Sequence, residues 1–131
     1  INAGGDIRTN GSAGKGRPWK VAIQNPNKDK NYPDVISMQD GAVATSGDYE
    51  VYYDQEKMFH HIVDSRTGYS PKLASSVTVM APTVMDADAL STSVFVMESK
   101  AGTSFIDILP GCECYILDKD GKAVQSSGWQ V

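Results

Sequence analysis

Met-Asp-Ala-Asp-Ala-Leu-Ser-Thr, residues 85–92, reads as the start of a helix. Two acids, Asp86 and Asp88, precede a run of good helix formers, and Val94, Phe95 and Met97 carry apolar character onward for more than another turn. Acids belong in a first turn because its unpaired amides and the helix dipole favour negative charge there. Asp88 and Thr92 are four apart, so a carboxylate and a hydroxyl lie on one face of the helix, a turn from each other. Together they offer two hard oxygen ligands to a small divalent cation. A capped amphipathic helix without a ligand explains the same residues, and Asp86, Ser91 and Ser93 fit that plainer account.

Working outward, Pro82-Thr83 leads into the helix from a strand over residues 76–80. Beyond it, Gly102 to Pro110 reads as a short second helix that Pro110-Gly111 ends. Cys112 to Leu117 is then a strand, Asp118-Lys119-Asp120-Gly121 a turn, and Ala123 to Trp129 a closing strand. On the amino-terminal side, Gly4-Gly5 turns into a strand from Asp6 to Thr9, and Trp19 to Gln24 alternates as a strand with one covered face does. Gln39-Asp40-Gly41 between Val35–Met38 and Ala42–Thr45 reads as a hairpin, Asp-Gly being a strong turn signal. Residues 54–57 form a turn, and Met58 to Asp64 reads as a strand with His60, Ile62 and Asp64 on one face and Phe59, His61 and Val63 on the other. Many antiparallel strands with one main helix and a short one predict an α+β fold, a mostly antiparallel sheet carrying both helices on one face.

The 131 residues suit one domain, and 40% apolar residues make it globular. A net charge of −4 carries no basic stripe that would neutralise a phosphate backbone, so nucleic acid is not an expected partner. No apolar run approaches the roughly 18 to 20 residues of a membrane span, so the chain reads as soluble as given. It opens Ile1-Asn2-Ala3-Gly4-Gly5 without an initiating Met, which predicts a fragment or a processed chain. Cys112 and Cys114 would point to one side of a strand with Cα atoms about 6.6 Å apart, near the upper limit for a bridge. Small buried side chains are the expectation, with a disulfide left open.

Two chemistries can be drawn from these residues. Ser46, His61 and Asp64 could compose a Ser-His-Asp hydrolase, but Thr45-Ser46-Gly47-Asp48 lacks the first Gly of a nucleophile elbow. A mononuclear site on Asp88 and Thr92 is more coherent, because magnesium prefers a few oxygen ligands plus waters and substrate phosphates. Such a metal polarises a phosphoryl group while a nearby base activates the attacking hydroxyl. His61 is the candidate for that base, or for a hydrogen bond to phosphate; a structural histidine is its alternative.

Asn2-Ala3-Gly4-Gly5-Asp6, Pro18-Trp19-Lys20-Val21-Ala22-Ile23, Thr45-Ser46-Gly47-Asp48-Tyr49-Glu50, His60-His61-Ile62-Val63-Asp64 with Thr67-Gly68-Tyr69, and Ala87-Asp88-Ala89-Leu90-Ser91-Thr92 together resemble the ApbE family. Each block alone is weak, whereas their order and spacing are specific. The resemblance spans nearly the whole chain and fades after about Gly102. It implies a T-fold-like architecture and an FAD:protein FMN transferase, which uses magnesium to split FAD and attach FMN through a phosphoester to a Thr or Ser of a target protein. It further implies that Asp88 and Thr92 are magnesium ligands, that His61 stands at the FAD phosphates, and that Asp64 supports its loop. Gly4, Gly5, Asp6, Ser46 and Gly47 would line the flavin nucleotide site by close backbone approach.

Ser65 and Ser70 depart mildly from the family pattern, which commonly has Pro there. The family is also longer than this chain. Residues 1–131 would be the carboxy-terminal part of a flavin transferase whose amino-terminal half, with further FAD contacts and a backbone metal ligand, is absent. The acceptor implied is a protein of a membrane electron-transfer complex, and the implied location is extracytoplasmic, periplasmic or lipid-anchored through that absent half. A non-catalytic FAD-binding module and an FAD pyrophosphatase releasing FMN and AMP are the alternatives.

Overall fold

In the computed structural model, which describes residues 1–49, 53–56 and 59–129, the first helix, α1, spans Val84–Phe95. Thr83 closes its first turn: Oγ1 accepts from the Asp86 N–H at 3.1 Å and donates to the Asp86 carboxylate at 2.6 Å. A cap of this kind satisfies donors that a first turn leaves unpartnered and contributes about 1 kcal/mol. Asp86 therefore serves the helix end. The buried side chains Ala87, Ser91, Val94 and Phe95 recur at three- and four-residue intervals, one stripe turned to the sheet.

The strands are β1 (Asn2–Ala3), β2 (Asp6–Thr9), β3 (Trp19–Ala22), β4 (Val35–Met38), β5 (Gly41–Gly47), β6 (Ala74–Ala81), β7 (Glu113–Asp118) and β8 (Ala123–Gln125), with a second helix, α2, over Ser99–Asp107. Six of them form one sheet in the order β1-β2-β5-β6-β7-β8, every neighbouring pair antiparallel; β3 and β4 pair separately. The fold is thus α+β, as the pattern of elements predicts. Its core has two layers. Ala42, Ala44, Val77, Val79, Ala81, Cys114 and Ile116 meet Ala87, Val94, Phe95 and Ile106 of the helices on one side of the sheet. On the other, Val43, Tyr115 and Leu117 pack with Ile23, Ile36 and Trp129. The two helices approach closely because residue 102 is glycine: a Cβ there would lie 2.8 Å from Val94 Cγ1.

Several sequence expectations are corrected. Residues 39–41 do not join a hairpin. β4 pairs with β3 while β5 pairs with β2 and β6, so Ile36 and Val43 meet across the lower layer rather than side by side. The second helix begins at Ser99, ahead of Gly102, because the close α1 contact admits a glycine inside the helix. The closing strand is only Ala123–Gln125. Thereafter Ser127 donates to Asp107 of α2 through its N–H at 2.7 Å, and the Trp129 Nε1–H donates to Asp34 at 3.1 Å, so the segment wraps the sheet edge rather than extending it. Cys112 and Cys114 are both free and buried.

No regular strand covers 59–64; Met58, where that strand was expected to start, lies outside the described residues, as do Glu50 and Lys57. The expected alternation nevertheless holds, with His60, Ile62 and Asp64 buried and Phe59, His61 and Val63 exposed. Hydrogen bonds hold this loop instead of a ladder. Ser70 Oγ accepts from the His60 N–H at 3.0 Å and donates to the His60 carbonyl at 2.9 Å. The His60 ring stands edge-on to Phe95, centroids 5.6 Å apart. Asp64 takes two hydrogen bonds from the Arg66 guanidinium at 3.0 and 2.8 Å, and Arg66 Nη2 also donates to the Val96 carbonyl at 3.4 Å, joining the loop to the end of α1.

Phe95→Ala should cost about 3–5 kcal/mol by urea unfolding, since the fully buried ring is shared by α1 and the His60 loop. The Arg66 hydrogen bonds hold the Asp64 carboxyl below its ordinary value. A depressed acid contributes stability above its unfolded pKa and loses it as the pH falls through the folded one. Amide protection over residues 64–69 should therefore persist down to the ordinary aspartate range, about pH 3.9, and fall only below it. In Arg66→Ala the loss should move to higher pH.

Candidate functional site

The carboxylate and hydroxyl that the helix spacing aligns are both at the surface: Asp88 and Thr92 are exposed, while Ser91 between them is fully buried against the sheet. β5 supplies the facing group. Along β5, Ala42, Ala44 and Ser46 point to the helix side, and the small alanines let α1 lie close enough for Ser46 to reach it. Ser46 Oγ stands 2.8 Å from Ser91 Oγ and 2.9 Å from Thr92 Oγ1, and Ser91 Oγ donates to the Asp88 carbonyl at 2.9 Å.

β2 brings Asp6 to the same side. Ile7 pairs with Val43 and Arg8 with Ala42, so Asp6 and Arg8 share the helix-side face. Arg8 Nη1 donates to the Pro82 carbonyl at 2.9 Å, fastening β2 to the approach of α1. Partial burial, and secondarily the negative charge of Asp88, push the Asp6 carboxyl above its ordinary value. Two carboxylates that repel each other make a place that favours a cation. Among the described residues no group of three or more His, Cys, Asp or Glu side chains could hold a metal. A cation here would take the Asp88 carboxylate and the Thr92 hydroxyl and complete its shell with waters or phosphate oxygens. That donor chemistry fits magnesium and suits neither zinc nor a soft metal.

The pleat sends the next residue to the opposite side. Gly47 faces the lower layer, where an added Cβ would lie 2.3 Å from Tyr49 Cε1, so glycine lets that ring fold back over the strand end. A cavity of about 210 Å³ opens there, lined in part by Gly4, Gly5, Thr45, Thr78 and Tyr49. Thr45 and Thr78 are cross-strand partners whose hydroxyls stand 2.8 Å apart. Gly4 and Gly5 have φ of +68° and +110°, and nothing lies within 4 Å of a Cβ added at either. They are glycines for the turn, and their backbone is open to a ligand. Asp48, 3% exposed, pairs with Lys119 and so braces the strand end; burial pushes the Lys119 ammonium below its ordinary value.

His61 is exposed on the loop that Arg66 ties to the carboxy-terminal end of α1. The Ser46, His61 and Asp64 trio is not assembled: Ser46 bonds to α1 hydroxyls and Asp64 to Arg66. Asp6, Ser46, Asp88 and Thr92 are brought together, while Gly4, Gly5 and Gly47 belong to the other face. Sequence reasoning left Ser91 in the plainer account of a capped helix, without its contact to Ser46. Ser91 carried one faint signal, a hydroxyl on the buried stripe four residues after Ala87, where a methyl would pack as well.

The family model described as the ApbE family matches residues 1–116, further than the quoted blocks reach. The chain is 41% identical over 106 residues to the FAD:protein FMN transferase of Haemophilus influenzae, covering 77% of this chain and 31% of that protein. It is 32% identical over 129 residues to that of Escherichia coli K12, covering 96% and 36% respectively. It therefore spans about a third of the length of these curated relatives. The ApbE protein of Thermotoga maritima superposes with a TM-score of 0.83 at 38% identity, over 96% of this chain and 41% of that one. The flavin transferase ApbE of Vibrio cholerae gives 0.77 at 32%, with the same coverage. The family-model match across residues 1–116 and 32% identity over 129 residues place this chain in the ApbE family.

Proposed function

We propose that the protein carrying this chain is a magnesium-dependent FAD:protein FMN transferase, and that residues 1–131 are the carboxy-terminal part of its domain. The observation that best supports this is the convergence of Asp6, Ser46, Asp88 and Thr92 on one side of the sheet, a hard-oxygen site with an excess of negative charge. The relatives' name, FAD:protein FMN transferase, supplies the reaction class.

Asp88 and Thr92 Oγ1 would hold the magnesium, which when bound offsets the negative charge of the FAD pyrophosphate. In the transfer, the hydroxyl oxygen of an acceptor Thr or Ser forms a bond to the FMN phosphorus, the bond from that phosphorus to the bridging oxygen breaks, and AMP leaves. His61 takes the hydroxyl proton on a ring nitrogen, or hydrogen-bonds a phosphate oxygen, and its exposure on a pinned loop leaves it accessible to both. Asp64 holds that loop through Arg66. Gly4, Gly5, Asp6, Ser46 and Gly47 line the nucleotide, Gly4 and Gly5 by open backbone. The acceptor is a flavoprotein of a membrane electron-transfer complex. The protein works outside the cytoplasm, in the periplasm or held at the membrane by a lipid on its amino-terminal portion. Among the described residues no helix is long and apolar enough to cross a membrane.

Incubated with FAD, magnesium and a peptide bearing an acceptor Thr, the full-length protein should add the mass of FMN to the peptide and release AMP. FMN and AMP free in solution, with the peptide unchanged, would reassign it as an FAD pyrophosphatase. FAD bound and recovered intact would make it a binding module. Asp88→Ala should abolish transfer, and unaltered turnover in that variant would remove the metal assignment.

A further inference from the structure

We infer that Ser46 and Ser91 are positioning residues for a cation at Asp88 and Thr92, because they fix the direction of a chain of hydroxyls that leaves Thr92 Oγ1 presenting only lone pairs outward. The inference rests on the metal reading above and adds two residues to it. A serine or threonine hydroxyl has one hydrogen to donate and lone pairs to accept with. Ser91 Oγ spends its hydrogen on the Asp88 carbonyl, an acceptor that cannot reverse the bond, at 2.9 Å. The 2.8 Å contact between Ser46 Oγ and Ser91 Oγ must then have Ser46 as donor. With that hydrogen committed, the 2.9 Å contact between Ser46 Oγ and Thr92 Oγ1 must have Thr92 as donor.

The order Thr92 to Ser46 to Ser91 to the Asp88 carbonyl follows from its last bond alone. A hydroxyl that ligates a cation must aim its hydrogen away from it, and the partner receiving that hydrogen sets the ligand's orientation. Burial protects the anchoring end of the chain: Ser91 is 0% exposed, so water does not compete for its bonds. The chain also ends on a backbone carbonyl of α1, an acceptor held in place by the helix itself. A buried serine that merely caps a carbonyl three residues back would have no need of Ser46.

The experiment measures binding of Mn2+ alone, by electron paramagnetic resonance, to the full-length protein carrying this chain. Ser46→Ala and Ser91→Ala should each weaken Mn2+ binding about 10- to 100-fold. In Ser46→Ala the Thr92 hydrogen loses its acceptor; in Ser91→Ala the Ser46 hydrogen is freed to turn on Thr92 Oγ1 and compete with the cation. The double variant should bind like Ser46→Ala, because Ser91 acts only through Ser46. The urea midpoint of each metal-free protein identifies losses caused by unfolding, and Ser91→Ala removes a single oxygen. Independent, multiplying losses in the double variant would overturn the inference, as would parental affinity in Ser46→Ala while Asp88→Ala binds no Mn2+. Parental Mn2+ affinity in Asp88→Ala would instead overturn the underlying metal reading.

Discussion

The short distance between α1 and β5 is the constraint on which the molecule depends. It exists because the facing side chains are small: Ala42, Ala44 and Ser46 on the strand, Ala87 and Ser91 on the helix. Larger residues at these positions would push the layers apart, and hydrogen bonds of 2.8 and 2.9 Å between strand and helix would not form. The same approach lets β2 contribute Asp6 to the neighbourhood of Asp88. Bulk is placed further along, where Val94, Phe95 and Ile106 fill the space toward the second helix. Packing and polar geometry are thus set by one run of side-chain volumes.

The end of β5 serves two sides at once. Ser46 turns to the helix and Gly47 to the lower layer, so adjacent residues belong to separate features: a charged, hard-oxygen surface above and a cavity of about 210 Å³ below. Period two in a strand makes this unavoidable. A ligand reaching both features must pass around the sheet edge, and there the Gly4-Gly5 turn offers backbone with nothing crowded against it.

Much of this was legible in the sequence, and the failures have physical causes. The helix start, the acid and hydroxyl on one face, and the alternation of burial over residues 60–64 follow from local periodicity, and they hold. The hairpin expected at Asp40-Gly41 fails because a turn signal says that the chain reverses and not which neighbour it finds: Gly41 pairs with Thr9, and β4 with β3. The closing strand is overextended because Trp129 looks equally apolar whether it lies in a ladder or caps a layer through Asp34. Ser91 reads as an ordinary helix residue because its significance is relational. Only the strand opposite shows that its hydroxyl meets Ser46.

The bond from Trp129 to Asp34 joins residues separated by 95 positions. The two layers therefore close loops of different length. On the helix side, β5, β6 and α1 follow one another in element order. On the other side, β3 and β4 rest on side chains from the far end of the chain, Tyr115, Leu117 and Trp129. Because the entropy cost of closure grows with loop length, the underside of the sheet carries the larger closure cost.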